Sequence, residues 1–304
     1  MPLDARAAEE VRDFLSQSHF TERGAVVTDL DGTAVHEFRG RIVIPQHVEL
    51  GLKRLYEAGT PVVLNSLRFP LSVLRTFGRE WYAIANAPIP AVTLNGSLLG
   101  HVTARPDGEL AFDEVAAFPL EADEIERALA VVRELLDDAV KRVLLFYYPR
   151  DWRVGEVIWT PVPERVLEVK EKYVSASSVT AVELDTLHAQ LLAADVCMMF
   201  LAVDIPADQR MAYQHTQRNL FITHAGVDKL QGARVMAERL GVELGDSIGA
   251  GDTELDTFLT GVGLAVLVGE NAPDLRGLAH TVRLAHSAEL GELLFCVAAE
   301  TGRP

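Results

Sequence analysis

The sequence is poor in several features, and each shortage narrows the possible functions. Among its 304 residues only Cys197 and Cys296 are cysteines, and their spacing fits neither a disulfide framework nor a zinc site. Basic residues are outnumbered, since 28 lysines and arginines face 44 aspartates and glutamates for a formal net charge of −16. This balance argues against nucleic-acid binding, which favours a basic surface. An anionic ligand would therefore need a local cationic site.

The chain also lacks the apolar runs and the leader segment that direct proteins to membranes or out of the cell. No stretch of about 18 uninterrupted apolar residues occurs, and the N-terminus does not resemble a signal peptide. Hydrophobic residues make up 49% of the chain and charged residues 24%, as in globular proteins. We therefore expect a cytoplasmic protein without a membrane partner. The composition leaves the oligomeric state open.

The strongest motif follows a short apolar run near the N-terminus. Residues 25–27 (AVV) predict a buried strand, which leads into Asp29 and Asp31. Side chains two positions apart on an extended chain point the same way, so both carboxylates can face one site. Because close carboxylates repel unless a cation or a shared proton joins them, the pair indicates a Mg²⁺ site with one nucleophilic and one proton-handling acid. An ordinary strand followed by a turn at Gly32 is the alternative.

Strand and helix patterns alternate at both ends of the chain. The predicted elements are helices at 4–17, 46–58, 70–78, 228–240 and 287–299, a helix beginning near Glu254, and strands at 25–27, 61–64, 90–94, 246–249, 264–268 and 282–284. This alternation is typical of a doubly wound parallel sheet, in which ligands bind beyond the carboxyl ends of the strands.

A central block has a different pattern, which mixes a hairpin with helices. The elements predicted there are strands at 98–104, 110–115, 142–147, 154–159 and 197–203, and helices at 121–138, 180–193 and 206–217. We interpret this block as a second, α+β domain inserted into the first. The predicted fold is thus α/β, with a core domain of residues 1–97 and 218–304 and an inserted domain of residues 98–217.

Polar residues near the predicted strand ends provide the parts that phosphoryl transfer needs. That reaction requires an in-line nucleophile, cations on the phosphoryl oxygens and a proton donor for the leaving group. Asp29 would attack to give an aspartyl-phosphate, and Asp31 would protonate the leaving alkoxide and then activate water. Ser66 would donate its hydroxyl to a phosphoryl oxygen, and Lys229 would supply positive charge. Asp252 would complete the oxygen shell of a Mg²⁺ held by Asp29.

The individual residues also have plainer explanations. Asp256 lies four positions after Asp252, on one face of the predicted helix start, where an acidic pair stabilises the helix dipole without any metal. Ser66 alone is explained as a loop hydroxyl, and Lys229 alone as a solvated helix lysine. The joint occurrence of four clusters, in order and at strand ends, favours the catalytic interpretation.

These clusters resemble the four motifs of the haloacid dehalogenase superfamily of phosphohydrolases. Residues 29–33 (DLDGT) match its D-x-D-G-T motif, and residues 66–68 (SLR) are similar to the second motif in the T-G-R form of the Cof-type sugar phosphatases. Asn95 and Gly96 resemble the N-G-A turn of that branch, and Asn271 lies in a segment similar to its later G-N-A segment.

The resemblance extends to Lys229 and Asp252, whose spacings fit the third and fourth motifs, and it implies a Mg²⁺ cofactor. The residues implied in metal binding are Asp29, Asp31, Asp252 and Asp256, and those implied in substrate binding are Arg68, Asn95, Gly96 and Asn271. We expect Asp31 to reach the metal through its backbone carbonyl. The inserted block lies where the superfamily carries a type-2 cap, which closes over the phosphate site and selects the substrate.

The chain departs from the family pattern at three positions, where Leu67 and Leu230 replace glycines and Leu255 replaces an asparagine. These changes affect the fine substrate contacts and spare the acids, Ser66 and Lys229. The resemblance therefore implies a Mg²⁺-dependent phosphatase, a phosphoric monoester hydrolase, acting on a small phosphorylated metabolite such as a sugar or glycosyl phosphate. The alternatives are a sugar phosphomutase and a non-catalytic regulatory or binding module on the same fold.

Overall fold

A computed structural model of the chain describes residues 3–140, 142–203, 221–270 and 278–302. The helices are α1 (Ala5–Gln17), α2 (Phe20–Arg23), α3 (Gln46–Glu57), α4 (Pro70–Val73), α5 (Arg79–Ala85), α6 (Ala122–Asp137), α7 (Val166–Lys172), α8 (Leu184–Ala193), α9 (Lys229–Leu240) and α10 (Ser287–Thr301). A π-helical segment, Leu74–Gly78, joins α4 to α5. None of the described helices combines the length and the apolar character needed to cross a membrane.

The strands form two larger sheets and one small hairpin. They are β1 (Val26–Thr28), β2 (His36–Phe38), β3 (Arg41–Val43), β4 (Val62–Asn65), β5 (Ile89–Thr93), β6 (Leu98–Ala104), β7 (Leu110–Ala117), β8 (Val143–Pro149), β9 (Val157–Trp159), β10 (Ser178–Thr180), β11 (Val196–Val203), β12 (Phe221–Thr223), β13 (Ile248–Gly251), β14 (Leu264–Val268) and β15 (His280–Leu284). The hairpin consists of β2 and β3.

The larger sheet has the order β15-β14-β13-β1-β4-β5-β6-β7. Its strands from β15 to β5 run parallel, whereas β6 and β7 are antiparallel additions at one edge. Val26 and Val27 show why β1 is an uninterrupted apolar run, because they pack into hydrophobic clusters on opposite faces of the sheet. Helices α3 and α10 contribute to the first cluster and α9 to the second. The predicted doubly wound α/β fold is confirmed.

The second sheet has the order β10-β9-β8-β11-β12, with only the β9–β10 pair parallel. Residues of β8 alternate between its faces: Leu145 and Tyr147 pack with helices α6 and α8, while Phe146 and Tyr148 join the cluster that continues into the first sheet. The predicted α+β character of the inserted block therefore has a physical basis in a sheet that α6 and α8 cover on one face.

Strand pairing at both ends of the inserted block shows which sheet the strands there join. The hairpin β6–β7 continues the larger sheet, since Leu98 pairs with Thr93 of β5, so residues 98–117 belong with the core sheet. At the other end, β12 pairs with β11, so the second sheet extends to Thr223, beyond the predicted end at 217. The hydrophobic pattern identified these strands but carries no information about which sheet edge receives them.

A short linker of residues 224–228 connects β12 to α9. The Glu124 carboxylate, near the start of α6, accepts a hydrogen bond from the backbone N–H of Ala225 at 2.8 Å and lies 3.0 Å from His224 Nδ1. The linker is therefore tied to α6 at its beginning. Its end leads directly into the helix that carries Lys229.

Two of the predicted helices have no counterpart among the described residues. The helix expected near Glu254 is wrong: residues 252–256 form a turn, because the Asp256 carboxylate accepts hydrogen bonds from the backbone N–H groups of Asp252 and Thr253, and only a short 3₁₀ helix, Thr257–Thr260, follows. The helix predicted at 206–217 lies outside the described residues. The β2–β3 hairpin and α7 had no counterpart among the predicted elements.

Candidate active site

The predicted site residues meet at the carboxyl edge of the larger sheet. Asp29 follows β1, Ser66 follows β4 and Asp252 follows β13, and these strands are neighbours in the order β13-β1-β4. Parallel strands bring their carboxyl ends to one edge, so the sheet order alone assembles these residues from distant parts of the sequence. Lys229 reaches this edge from a helix, since it is the first residue of α9.

Lys229 is the cation around which the acids are arranged. Its Nζ atom donates to Asp29 Oδ1 and to Asp256 Oδ1, each at 2.6 Å. All three side chains are almost completely buried, with 3% of the lysine side chain exposed, 7% of Asp29 and none of Asp256. Such short, charge-assisted bonds in a desolvated setting are strong. Two acids thus fix the lysine in the interior, and the alternative interpretation of Lys229 as a solvated helix lysine is wrong.

Asp256 organises the turn that presents Asp252. Its Oδ1 accepts from Lys229, and its Oδ2 accepts from the backbone N–H groups of Asp252 at 2.8 Å and Thr253 at 3.0 Å. The Asp252 carboxylate, by contrast, receives a long contact of 3.4 Å from the Thr33 hydroxyl. Gly32 has a φ of +83°, and a Cβ there would overlap an oxygen of Asp252. This glycine therefore allows the carboxylate of Asp252 to approach the D-x-D turn.

Burial and mutual repulsion disturb the ionisation of these acids. Burial, together with the charges of Asp256 and Asp252, raises the pKa of Asp29 well above its usual range, against the opposing effect of Lys229. Burial and the charge of Asp256 raise the pKa of Asp252 to about 7. Burial alone would lower the pKa of Lys229, but the charges of Asp256 and Asp29 outweigh it and raise that pKa above its ordinary value. The site thus favours a further cation among its carboxylates.

The residues fit a divalent metal ion that prefers oxygen ligands. Carboxylate oxygens of Asp29, Asp252 and Asp256 all lie within 4.8 Å of one another. Asp252 has the least committed carboxylate of the three, and the bond to Lys229 uses one oxygen of Asp29 and leaves the other. Asp256 has both oxygens engaged, so it suits an organising role better than a metal contact. Asp31, which was predicted to reach the metal through its backbone carbonyl, does not contribute its side chain to this cluster.

Asp31 is instead held by Arg68. The guanidinium donates from Nε to Asp31 Oδ2 at 2.6 Å and from Nη2 to Asp31 Oδ1 at 2.7 Å, and its Nη1 donates to Ser72 at 3.0 Å. Arg68 is completely buried, whereas 31% of the Asp31 side chain is exposed. The arginine predicted to contact substrate therefore contacts the acid that was predicted to handle the proton. Since only the aspartate is open to solvent, it is the member of the pair that a ligand would meet first.

The remaining predicted residues line the same edge or fall outside the described chain. Ser66 is buried and its Oγ accepts from the backbone N–H of Arg68 at 3.1 Å, which leaves the hydroxyl proton for another acceptor. Asn95, partly exposed, has a left-handed backbone and donates its N–H to the Ser66 carbonyl at 3.3 Å. Gly96 packs against the start of α9, where a Cβ would overlap the Asp228 carbonyl, and this packing accounts for the glycine. Asn271 lies outside the described residues.

Sequence reasoning missed one polar residue at this edge. Asn65 ends β4, is completely buried, and donates from Nδ2 to the backbone carbonyl of Lys229 at 2.9 Å. The signal was an asparagine at the end of the apolar run 62–64, a position where an apolar residue suits the interior of a parallel sheet.

Fold and site together define an α/β protein with a carboxylate cluster and one buried lysine at the edge where such sheets bind ligands. No protein-family model matches the chain, and no curated protein matches it. Solved structures do. A haloacid dehalogenase superfamily phosphatase from Bacteroides thetaiotaomicron aligns with a TM-score of 0.62 and 16% identity, over 91% of this chain and 94% of that one.

Two further structures extend the likeness. A subclass IIB sugar phosphatase of the same superfamily aligns with a TM-score of 0.63 and 16% identity, over 89% of this chain and 96% of that one. A haloacid dehalogenase-like hydrolase from Bacteroides thetaiotaomicron aligns with a TM-score of 0.60 and 17% identity, over 90% of this chain and all of that one. The chain therefore has the fold of the haloacid dehalogenase phosphatases, and the resemblance seen in its motifs is confirmed at the level of the fold.

Proposed function

We propose that the protein is a Mg²⁺-dependent phosphatase that hydrolyses a small phosphorylated metabolite, with residues 118–223 acting as its cap. The observation that carries the proposal is the buried Asp29–Lys229–Asp256 arrangement beside Asp252, at the carboxyl edge of the sheet. A buried lysine between two acids is costly to desolvate, so this arrangement is poorly explained by folding stability alone.

Asp29 is the proposed nucleophile, and it would form an aspartyl-phosphate with the transferred group. Lys229 holds one of its oxygens and so fixes the orientation of the carboxylate that would attack an incoming phosphoryl group. Mg²⁺ held by Asp29 and Asp252 would neutralise charge on the phosphoryl oxygens and on the acids themselves. Lys229 and the hydroxyl of Ser66 would supply further stabilisation to these oxygens.

Asp31 is the proposed general acid and base. Its carboxyl lies at the partly exposed rim of the site, where it can reach a leaving oxygen, and Arg68 fixes its orientation through two hydrogen bonds. Arg68 therefore acts in this proposal through Asp31. Two contacts in a fixed fork restrict the carboxylate more than one contact would.

A sugar phosphate or a related glycosyl phosphate is the proposed substrate class. Two observations support it: the similarity in fold to a subclass IIB sugar phosphatase, and the presence of a second sheet that packs over the carboxyl edge through Tyr148 and Phe69, whose ring centres are 5.5 Å apart. Phe69 directly follows Arg68 in sequence, so the second sheet lies next to the proposed acid.

The test is phosphate release from a generic aryl phosphate and then from a panel of sugar phosphates, with and without Mg²⁺. We expect Mg²⁺-dependent release that Asp29→Asn abolishes, while the control Asp137→Asn, at an exposed position on α6, keeps the wild-type rate. An undiminished rate in Asp29→Asn would reject the assignment. Isomerised sugar phosphate without free phosphate would indicate a phosphomutase instead.

A further inference from the structure

Asn65 is a buried amide in a place where an apolar side chain would suffice. It ends the apolar strand β4, in the middle of the larger sheet, and none of its surface is exposed. Its Nδ2 donates to the backbone carbonyl of Lys229 at 2.9 Å. Its Oδ1 is buried and has no hydrogen-bond partner within the described parts of the chain.

The unpartnered oxygen makes Asn65 unfavourable for folding. A buried polar atom without a partner loses its hydration and gains nothing in return, so one good hydrogen bond and one orphaned acceptor leave little net stability. A leucine, which has the same branched shape and the same number of side-chain heavy atoms, would bury apolar surface at the same position without that cost. The amide is therefore better explained by what its single bond holds than by its effect on the fold.

The bond holds the first residue of α9, from which the catalytic ammonium projects. The Lys229 backbone is supported from below by the Asn65 amide, while Gly96 packs directly against the Asp228 carbonyl, so closely that a Cβ would overlap it. Nζ of the same lysine bridges Asp29 and Asp256 at 2.6 Å each. These distances depend on where the first turn of α9 lies relative to the end of β1, for Asp29, and to the turn after β13, for Asp256.

We infer that Asn65 is a positioning residue for Lys229, an inference that rests on the proposed function. By fixing the carbonyl of Lys229, the Asn65 amide sets the height of the ammonium above the sheet edge and so its distance from Asp29. Asn65 does not contact the reacting atoms and acts only through Lys229. Its loss should therefore reduce turnover without weakening either substrate binding or the fold.

The test compares Asn65→Leu with wild type, and Ser97→Ala serves as the matched control. Ser97 also has a buried, unpartnered hydroxyl near this sheet edge, and no described contact joins that hydroxyl to Lys229. We expect Asn65→Leu to melt at or above the wild-type temperature while kcat falls about tenfold, equivalent to about 1.4 kcal/mol in the barrier, with KM within about twofold. Ser97→Ala should keep the wild-type kcat.

Wild-type kcat in Asn65→Leu would overturn the inference, and so would a loss of kcat that accompanies a matching loss of melting temperature. If Asn65→Leu does not fold, the kcat and melting temperature of Asn65→Ala are compared with those of wild type instead. If the wild-type protein hydrolyses no phosphate monoester, the proposed function fails, and the crystal structure of Asn65→Leu then decides. Lys229 Nζ still within hydrogen-bond distance of Asp29 and Asp256 overturns the positioning role, whereas a displaced Nζ supports it.

Discussion

Replacing Lys229 with methionine should destabilise the protein by about 3–5 kcal/mol, the cost of breaking a buried ion pair by removing one partner. The structure sets this size. The lysine makes two charge-assisted bonds of 2.6 Å, each worth roughly 1.5–3 kcal/mol, and solvent screening is negligible because 3% of its side chain is exposed. The substitution leaves Asp29 and Asp256 buried without their cation, and this is the main source of the loss.

The measurement is urea unfolding of Lys229→Met, with Lys53→Met, an exposed lysine on α3, as the control. The control should change stability by less than about 0.5 kcal/mol. The double variant Lys229→Met/Asp256→Asn should recover part of the loss, because it removes one of the two stranded charges. The penalty should also grow with pH, since burial raises the pKa of Asp29 and its ionised form would oppose folding once the lysine is gone.

A loss below about 1 kcal/mol in Lys229→Met would refute the reasoning, because it would mean that the two acids find other partners or stay neutral at no cost. A second substitution at Asp256 that adds to the loss instead of relieving it would refute it as well. Either result would show that the contacts at 2.6 Å do not dominate the energetics of this edge of the sheet.

Three further predictions concern other parts of the fold. Burial raises the pKa of Glu156 in the folded protein, so the ionised carboxylate opposes folding at any pH above the pKa of the unfolded residue. In thermal melts, Glu156→Gln should therefore be more stable than wild type at pH 8, and this difference in stability should vanish near pH 4. The hydrogen bond to Glu124 raises the pKa of His224 in the folded protein. The pair therefore stabilises the fold below the pKa of the unfolded histidine, and this stabilisation is lost as the pH rises through the pKa of the folded one. His224→Ala should cost under about 1 kcal/mol at pH 6 and almost nothing at pH 9. Gly96→Ala should lose more than about 2 kcal/mol in urea unfolding, because φ is +95° and a Cβ would overlap the Asp228 carbonyl. Equal stability of any of these variants and wild type at all pH values would contradict the corresponding argument.

The convergence of Asp29, Ser66 and Asp252 could be predicted from the sequence because all three follow strands of one parallel sheet, whereas Lys229 was predicted from its motif spacing at a helix start. Once the strands are recognised as parallel, residues just beyond their carboxyl ends must share an edge. The D-x-D motif adds two carboxylates on one side of an extended chain, which identifies the centre of the site.

The pairing of Arg68 with Asp31 could not be predicted in the same way. The two side chains come from different loops, and their contact depends on rotamers and on the hydrogen bond that the guanidinium donates to Ser72. The turn at 252–256 was equally hidden, because acidic residues four apart suit a helix start as well as a turn closed by the Asp256 carboxylate. Side-chain hydrogen bonds between loops are decided by tertiary packing, which hydrophobic periodicity does not record.

The linker at residues 224–228 has a consequence for how this architecture can diversify. Its first residues are tied to α6 by Glu124, and its last residue leads into a helix start that Asn65 and Gly96 anchor to the larger sheet. A displacement of the second sheet that travels along the chain would pass through these few residues before it reaches the ammonium. Under the proposed function, a lineage could replace or reorient the inserted domain while the lysine keeps its register, so that selectivity and chemistry would evolve as separately adjustable modules of one chain.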